Sequence, residues 1–477
     1  MEKAGMKKVG ISNGLRYFYG SCDFIAMMSV SFKTYYWTYF LTTVIALPLA
    51  ATGIMNTAIN VFDLIMAFLW GGIMDKMKVG RWGKYRTIMI VCGPLIFLTH
   101  IAQWFGPTLY AFGSSVTVAV LVGFIAFAIY IVVFNLAWIA ATAIPTFTCA
   151  NEKERSTIIG TKTIWSGLTG LTVSYVAAWM LSWFKDPVIG YAGTASIMGI
   201  GYIIGYYINF MLIKDYEWTP AELIAKGIDP NEKKEGGPRV TLLDTFKVLI
   251  SNNQLLITTL IGTFNTLASF LWSYMGVYLF EMTLSAEALY AFYITITNFA
   301  GISGAFVSNL LTSKVASKTL CQIGFGTVVV CQILARFATA SLNATLFTIL
   351  MVISRFALAI AAPSLGTFYT NCSIYEEWKT GVNRTAIVMS CPNVATKISL
   401  TAIGIIVPAV LASTGYVAGA EVTQATKTAL ANWYNIVPAI VYGLSLITIT
   451  FGYKLDRKTV DGYLKDIQER ATVKAAE

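Results

Sequence analysis

The stretch Lys214-Asp-Tyr-Glu-Trp-Thr-Pro-Ala-Glu-Leu-Ile-Ala-Lys-Gly-Ile-Asp-Pro-Asn-Glu-Lys-Lys-Glu-Gly-Gly-Pro-Arg-Val-Thr-Leu-Leu-Asp-Thr-Phe-Lys247 decides the fold. It is the only long polar insert in 477 residues that are otherwise 56% hydrophobic and only 12% charged. Soluble globular domains carry about 25% charged residues, so a soluble enzyme is excluded. An aromatic content of 14% excludes a disordered chain. On either side of the insert the apolar runs are roughly 20 to 30 residues long, the length of a bilayer-crossing helix and not of an outer-membrane strand. Six runs precede it, at about 17–45, 48–74, 87–106, 115–148, 158–183 and 188–213. Six follow, at about 250–282, 287–311, 319–341, 344–370, 385–413 and 432–453. The chain therefore reads as an all-α membrane protein with an N-terminal six-helix half (1–213), a linker (214–247), a C-terminal six-helix half (248–453) and a tail (454–477).

The net charge of +10 is distributed, not diffuse. Of the 34 Lys and Arg, 27 fall in alternate loops, the linker and the two ends, whereas Lys185 and Lys427 alone fall on the other side. The positive-inside rule then makes both termini, the linker and the tail cytoplasmic, in a multi-pass protein of the plasma (cell inner) membrane. The same distribution names the lipid bilayer, and not nucleic acid, as the partner of the positive charge. A single histidine, His100, cannot build a histidine-based metal centre, and the seven cysteines show no CxxC pair and read as buried free thiols. The first apolar run is too long for a signal peptide and lacks a cleavage site. No catalytic or cofactor motif is present, so neither an enzyme nor a cofactor is expected, and the chain is expected to act as a monomer.

Two six-helix halves joined by a cytoplasmic linker resemble the layout of the major facilitator superfamily, whose substrate site lies near the bilayer midplane between the halves. Glycines at close-packing spacing, such as Gly201 and Gly205, suit tight helix contacts. The loop between the second and third runs reads Gly71-Gly-Ile-Met-Asp75-Lys76-Met-Lys-Val-Gly80-Arg81-Trp82-Gly83-Lys84-Tyr85-Arg86. Its glycines allow a sharp turn, and its cations stay on the inner surface. A plain reading is a basic loop that fixes topology. The segment also resembles the superfamily's G-x-x-x-D-[RK] signature and, more narrowly, the R-W-G-[KR]-[FY]-[KR] loop of the glycoside–pentoside–hexuronide:cation symporters. That resemblance gives Gly71, Asp75, Arg81, Gly83 and Lys84 a gating role. Asn371-Cys-Ser-Ile-Tyr375-Glu376-Glu377-Trp378-Lys379-Thr380-Gly381-Val382 looks like the family's loop between spans 10 and 11, with Glu377 at its conserved acid and Asn371 in place of an Asp. Asp23-Phe24 and Tyr35-Tyr36-Trp37-Thr38 are similar to the family's first span. Together these matches run from span 1 to span 11.

Ionisable residues inside a span are expensive, and a functional role is the default. The acids are Asp23 and Asp63; the bases are Lys33, Lys162, Arg336, Arg355 and Lys397. By the resemblance, Asp63 is the first carboxylate of the family's span-2 cation-coupling pair, but Ala67 stands at the second position, i+4 on the same helix face. In span 4 the family's further acid or amide falls near Ala137, with Asn135 the nearest polar side chain. One carboxylate is a poor cage for sodium, whereas a buried one still titrates. Proton coupling is therefore expected over sodium, the other reading being a structural Asp63–Lys397 pair. The resemblance also makes Asp23, Lys162, Asn393 and Lys397 substrate contacts, with carboxylate-to-hydroxyl bonds of the charge-assisted kind. The alternative is ion pairing without a ligand.

Tyr36 and Phe368 are the candidates for stacking on a sugar face, against the blander reading of packing. Tryptophans of the family are absent at Ala141 and Ala362, a departure from its neutral-galactoside members. Five bases against two acids inside the spans favour an anionic solute. The reading is a secondary active symporter that imports a small-molecule substrate, a glycoside or related solute such as a hexuronide, glucuronide or sulfonated sugar, by alternating access. The alternative is transport, with or without coupling, of a more apolar solute such as a steroid or aglycone, suggested by Ala67, Ala137 and the alanines at 140–143.

Overall fold

The computed structural model describes residues 7–8, 10–149, 152–229, 242–311, 314–382, 384–417 and 422–476, with some further side chains, those of 67–76 among them, left outside the description. Apart from isolated bridges in residues 80–83, the regular structure among the described residues is helical. The chain divides into two compact units, Met1–Gly237 and Pro238–Glu477.

In the first unit α1 is Ser21–Tyr39, α2 Leu49–Lys76, α3 Lys84–Thr108, α4 Val116–Thr142, α5 Glu152–Leu181 and α6 Pro187–Leu212. Helix starts follow local chemistry. The Ser115 hydroxyl accepts from the Val118 amide to cap α4. The Asp186 carboxylate accepts from the Val188 and Ile189 amides to cap α6, with Pro187 at the first helical position, where its missing N–H is harmless. α1 ends in a π-turn, Phe40–Val44, and the chain then passes through Ala46 at φ 51°.

In the second unit α7 is Asn253–Tyr278, α8 Glu287–Leu311, α9 Ser317–Ala340, α10 Ala344–Thr380, α11 Cys391–Ser413 and α12 Gln424–Ile447. The Asn343 side chain caps α10 from the Leu346 amide, and α7 ends in a second π-turn, Leu279–Thr283, followed by Ser285 at φ 49°. A thirteenth helix, α13 (Arg457–Ala476), folds back on α10: Trp378 Nε1 donates to Asp466 Oδ2 at 2.9 Å, and the Trp378 and Tyr463 rings lie 4.3 Å apart.

Eleven of the twelve spanning helices are long and apolar enough to cross a membrane on composition alone. The other, α1, is diluted by Asp23, Lys33 and a run of hydroxyl-bearing side chains, yet packs on α5 and α6. Three expected boundaries are corrected. α4 stops at Thr142 and a separate short helix, Ile144–Thr148, begins around Pro145, which cannot continue the preceding hydrogen-bond ladder. α11 starts at Cys391, after a turn at Thr385–Val388. The segment expected as the loop between spans 10 and 11 is helical to Thr380, so Glu377 is a helix residue; Gly381, at φ 68°, ends α10 in the left-handed conformation that glycine tolerates. The linker holds a short helix, Pro220–Ala225, and the helix Leu242–Ser251 begins near its end; residues 230–241 lie outside the described residues.

Candidate functional site

The first unit gathers three polar groups. The first is an ion pair. Lys162 Nζ of α5 lies 3.3 Å from Asp23 Oδ2 of α1, with side-chain exposures of 21% and 8%. The ammonium also sits over the rings of Trp138 (5.0 Å) and Tyr19 (5.5 Å), and the Tyr19 hydroxyl donates to the Ala141 carbonyl at 2.8 Å. Close approach of the two helices is possible because residue 20 is glycine: a Cβ there would lie 2.7 Å from the Lys162 Cα. Gly201 and Gly205 do the same for α6, where a Cβ would meet the Ile25 carbonyl oxygen at 2.7 Å and the Cys22 carbonyl oxygen at 3.1 Å.

The second group is Asp63 of α2. Asn135 Nδ2 of α4 donates to its Oδ1 at 2.8 Å. A carboxylate and an amide from facing helices thus meet. Ala137, Ala140 and Ala141 are buried, and the side chain of Ala67 lies outside the described residues. The third group is a buried network that motif reasoning did not find. Ser29 Oγ and His100 Nε2 share a hydrogen bond of 2.7 Å, the hydroxyls of Tyr130 and Tyr202 share one of 2.9 Å, and Lys33 Nζ lies over the rings of Phe127 (4.9 Å) and Tyr130 (5.2 Å).

In the second unit Asn393 and Lys397 lie on the first turns of α11, Asn393 exposed and Lys397 half-buried. Arg336 Nε donates to Asn432 Oδ1 at 2.5 Å. The two stacking candidates are corrected. Phe368 is 1% exposed and its face is taken by Tyr453, ring centres 4.0 Å apart; Tyr36 is buried against Phe32 and Tyr191. Neither ring offers a free face.

At the Lys/Arg-rich end of the first unit, the loop motif is joined by a group from outside it. Gly83 sits at φ 109°, and Arg81 is exposed over Trp82. Lys84 opens α3. Gly71 and Asp75 belong to α2, and their side chains lie outside the described residues. The organising group is one the motif does not contain. Glu217 takes the Tyr85 amide on Oε1 (2.7 Å) and the Arg86 amide on Oε2 (2.9 Å), capping α3 from the far end of α6. Burial pushes its carboxyl up, against the opposing pull of those amides. Arg86 Nε donates to the Phe210 carbonyl at 3.0 Å, and Tyr85 stacks on Phe147 at 5.0 Å. Nearby, Lys7 Nζ donates to both oxygens of Glu222, at 2.7 and 2.6 Å, which holds that carboxyl down at about 2.

In the second unit the buried acid is Glu376, not its neighbour Glu377. Glu376 Oε1 lies 3.1 Å from Arg384 and its Oε2 accepts from Asn252 Nδ2 at 3.0 Å, whereas Glu377 is half-buried. The signal that would have separated the two acids is helical phase, available only once α10 is known to continue through them.

A family model described as MFS/sugar transport protein matches residues 18–457. In sequence, the chain is 25% identical over 466 residues to an uncharacterized symporter of Bacillus subtilis (strain 168), covering 95% of both. It is 21% identical over 459 residues to an isoprimeverose transporter of Lactiplantibacillus pentosus, covering 95% of this chain and 91% of that one. It is 23% identical over 470 residues to a putative sulfoquinovose importer of Escherichia coli (strain K12), covering 95% and 93%. The fold resembles the crystal structure of a D-xylose–proton symporter, with a TM-score of 0.60 at 15% identity over 93% of this chain and 99% of that one.

Proposed function

The chain belongs to the MFS/sugar transport family, as a multi-pass membrane transporter and not an enzyme, and from that premise we propose that it imports an anionic glycoside in symport with protons. The observation that carries this reading is the Asp23–Lys162 pair. Its carboxylate is an acceptor for vicinal sugar hydroxyls and its ammonium a donor to a ligand oxygen, so a glycoside exchanges one internal contact for several charge-assisted ones. Trp138 beside the ammonium supplies an aromatic wall. The excess of bases over acids in the spans favours a carboxylate or sulfonate on the sugar, and the relative named as a sulfoquinovose importer supports that class. Asn393 and Lys397 are the substrate contacts proposed for the second unit.

Asp63, which accepts from the Asn135 amide, is the proposed proton carrier. The Lys/Arg distribution supports cytoplasmic termini and linker in the plasma membrane, and the reading is of a monomer working by alternating access. The test is a thermal-shift panel on the detergent-purified protein, pairing neutral glycosides with glucuronides and sulfonated sugars, with steroids as controls, with and without sodium. A ligand that binds the folded state raises its melting temperature. Anionic glycosides are expected to stabilise the protein irrespective of sodium, and Asp63→Asn is expected to abolish uptake driven by a pH gradient in proteoliposomes. Stabilisation by steroids alone, or only in sodium, overturns the reading.

A further inference from the structure

Of the five bases inside the spans, Lys162 has a carboxylate and Arg336 an amide. Arg355 of α10 is different. Its guanidinium stands over the Trp272 ring of α7, 4.9 Å from the centroid, and among the described residues it makes no ion pair or hydrogen bond. It lies twelve residues past the Asn343 cap, about 18 Å along the helix at 1.5 Å per residue, inside an apolar run long enough to cross a bilayer core of about 30 Å. A cation at that depth marks a functional site by default. The residue is half-buried and not sealed in the core.

The contact with Trp272 is through the ring, and among the described residues the N–H donors of the guanidinium are unengaged. Those donors form a rigid fork that matches two oxygens of one anionic group. Around them the unit is polar as well as aromatic. Trp272 is itself buried with its Nε1 lacking a hydrogen-bond partner, and its ring lies 5.6 Å from that of Tyr442. The Tyr442 hydroxyl is shared with Ser269 Oγ at 3.3 Å, and both Tyr442 and Tyr434 lie near enough to feel the charge of Arg355.

We propose that Arg355, standing over Trp272, is the residue of the second unit that recognises the anionic group of the transported glycoside, a sugar carboxylate or sulfonate, by a bidentate contact. This rests on the reading of the protein as a transporter of anionic glycosides. The lone contact to Trp272 explains why the fork is presented and not folded into an internal ion pair.

The test measures binding of four probes to the full-length purified protein by calorimetry: methyl glucuronide against methyl glucoside, and sulfoquinovose against glucose. The pair that shows a preference in the wild type tells carboxylate from sulfonate. Arg355→Gln is expected to weaken the preferred anion at least tenfold and to change its neutral twin less than twofold. Arg355→Lys, which keeps the charge and loses the fork, is expected to fall between. If Arg355→Gln keeps the wild-type preference, Arg355 only stitches α7 to α10, and this inference fails while the proposed function stands. Should Arg355→Gln not fold, a folded Arg355→Lys with undiminished preference is the overturning result. If the wild type prefers neither anion, the anionic reading falls and this inference with it.

Discussion

The two units share a frame and differ in what fills it. In the first, α3 packs on α4 and α6, α1 on α5 and α6, and α2 on α4; in the second, α9 packs on α10 and α12, α7 on α11 and α12, and α8 on α10. The five pairings are the same when helices are counted within each unit. Both first helices leave through a π-turn followed by a residue with positive φ, and both fourth helices start from a side-chain cap. At equivalent positions the chemistry is exchanged. Lys33 and Trp272 each lie seven residues before their π-turn, and Phe127 and Arg355 each lie twelve past their cap. The first unit thus sets a cation of its first helix on an aromatic ring of its fourth; the second does the reverse, at the same 4.9 Å. Gly205 and Tyr442, each nineteen past the cap of the unit's last helix, show the same freedom: backbone contact in one unit, a ring against Trp272 in the other. A shared set of helix contacts therefore persists with complementary rather than identical residues, which is how a repeat survives in structure when it is faint in sequence.

The largest expected break in this comparison lies at the Asp23–Lys162 pair. Removing one partner of a buried ion pair costs about 3–5 kcal/mol, and the partial exposure of Lys162 places Lys162→Ala near the lower end. The melting temperature should fall and uptake should cease. Asp23→Asn combined with Lys162→Met should recover the melting temperature without uptake; a double variant no better than the single one refutes the coupling.

Helix contact comes next. Gly201→Ala places a Cβ 2.7 Å from the Ile25 carbonyl oxygen and should cost about 1–3 kcal/mol by overpacking. Gly443→Ala on α12, with nothing within 4 Å of the new Cβ, should be neutral. Equal shifts in melting temperature would erase the difference between the two units.

The smallest effect belongs to the Lys7–Glu222 contact on the first unit's surface. The folded carboxyl titrates below its ordinary range, so its contribution is present above that range and is lost as pH falls toward about 2. The melting temperatures of wild type and Lys7→Gln should differ slightly near neutrality and converge in acid. A difference that persists at pH 2 contradicts the assignment.

What was legible in the sequence follows from contrast. Apolar runs and the side of the basic loops carry the twelve spans, and charges inside those runs stand out, which is why Asp23, Lys162 and Asp63 were visible at once. Asn135, the nearest polar side chain in span 4, does meet Asp63. Glu217 and Glu376 did not stand out because acids near the ends of spans are commonplace; only burial sets them apart. Trp272 was one aromatic in an apolar run until Arg355 arrived over it. The end of α10 read as a loop because Asn371, Glu376, Glu377 and Lys379 are polar, yet α13 covers it through Trp378 and Tyr463 and keeps it helical.

All seven cysteines are free and buried, and thiols sealed from water in apolar surroundings are inert. A cysteine introduced on an exposed turn will therefore be the group that a maleimide dye or spin label finds first. Distances between such labels on the two units can follow the transport cycle in the native sequence background, with no preliminary replacement of the protein's own thiols.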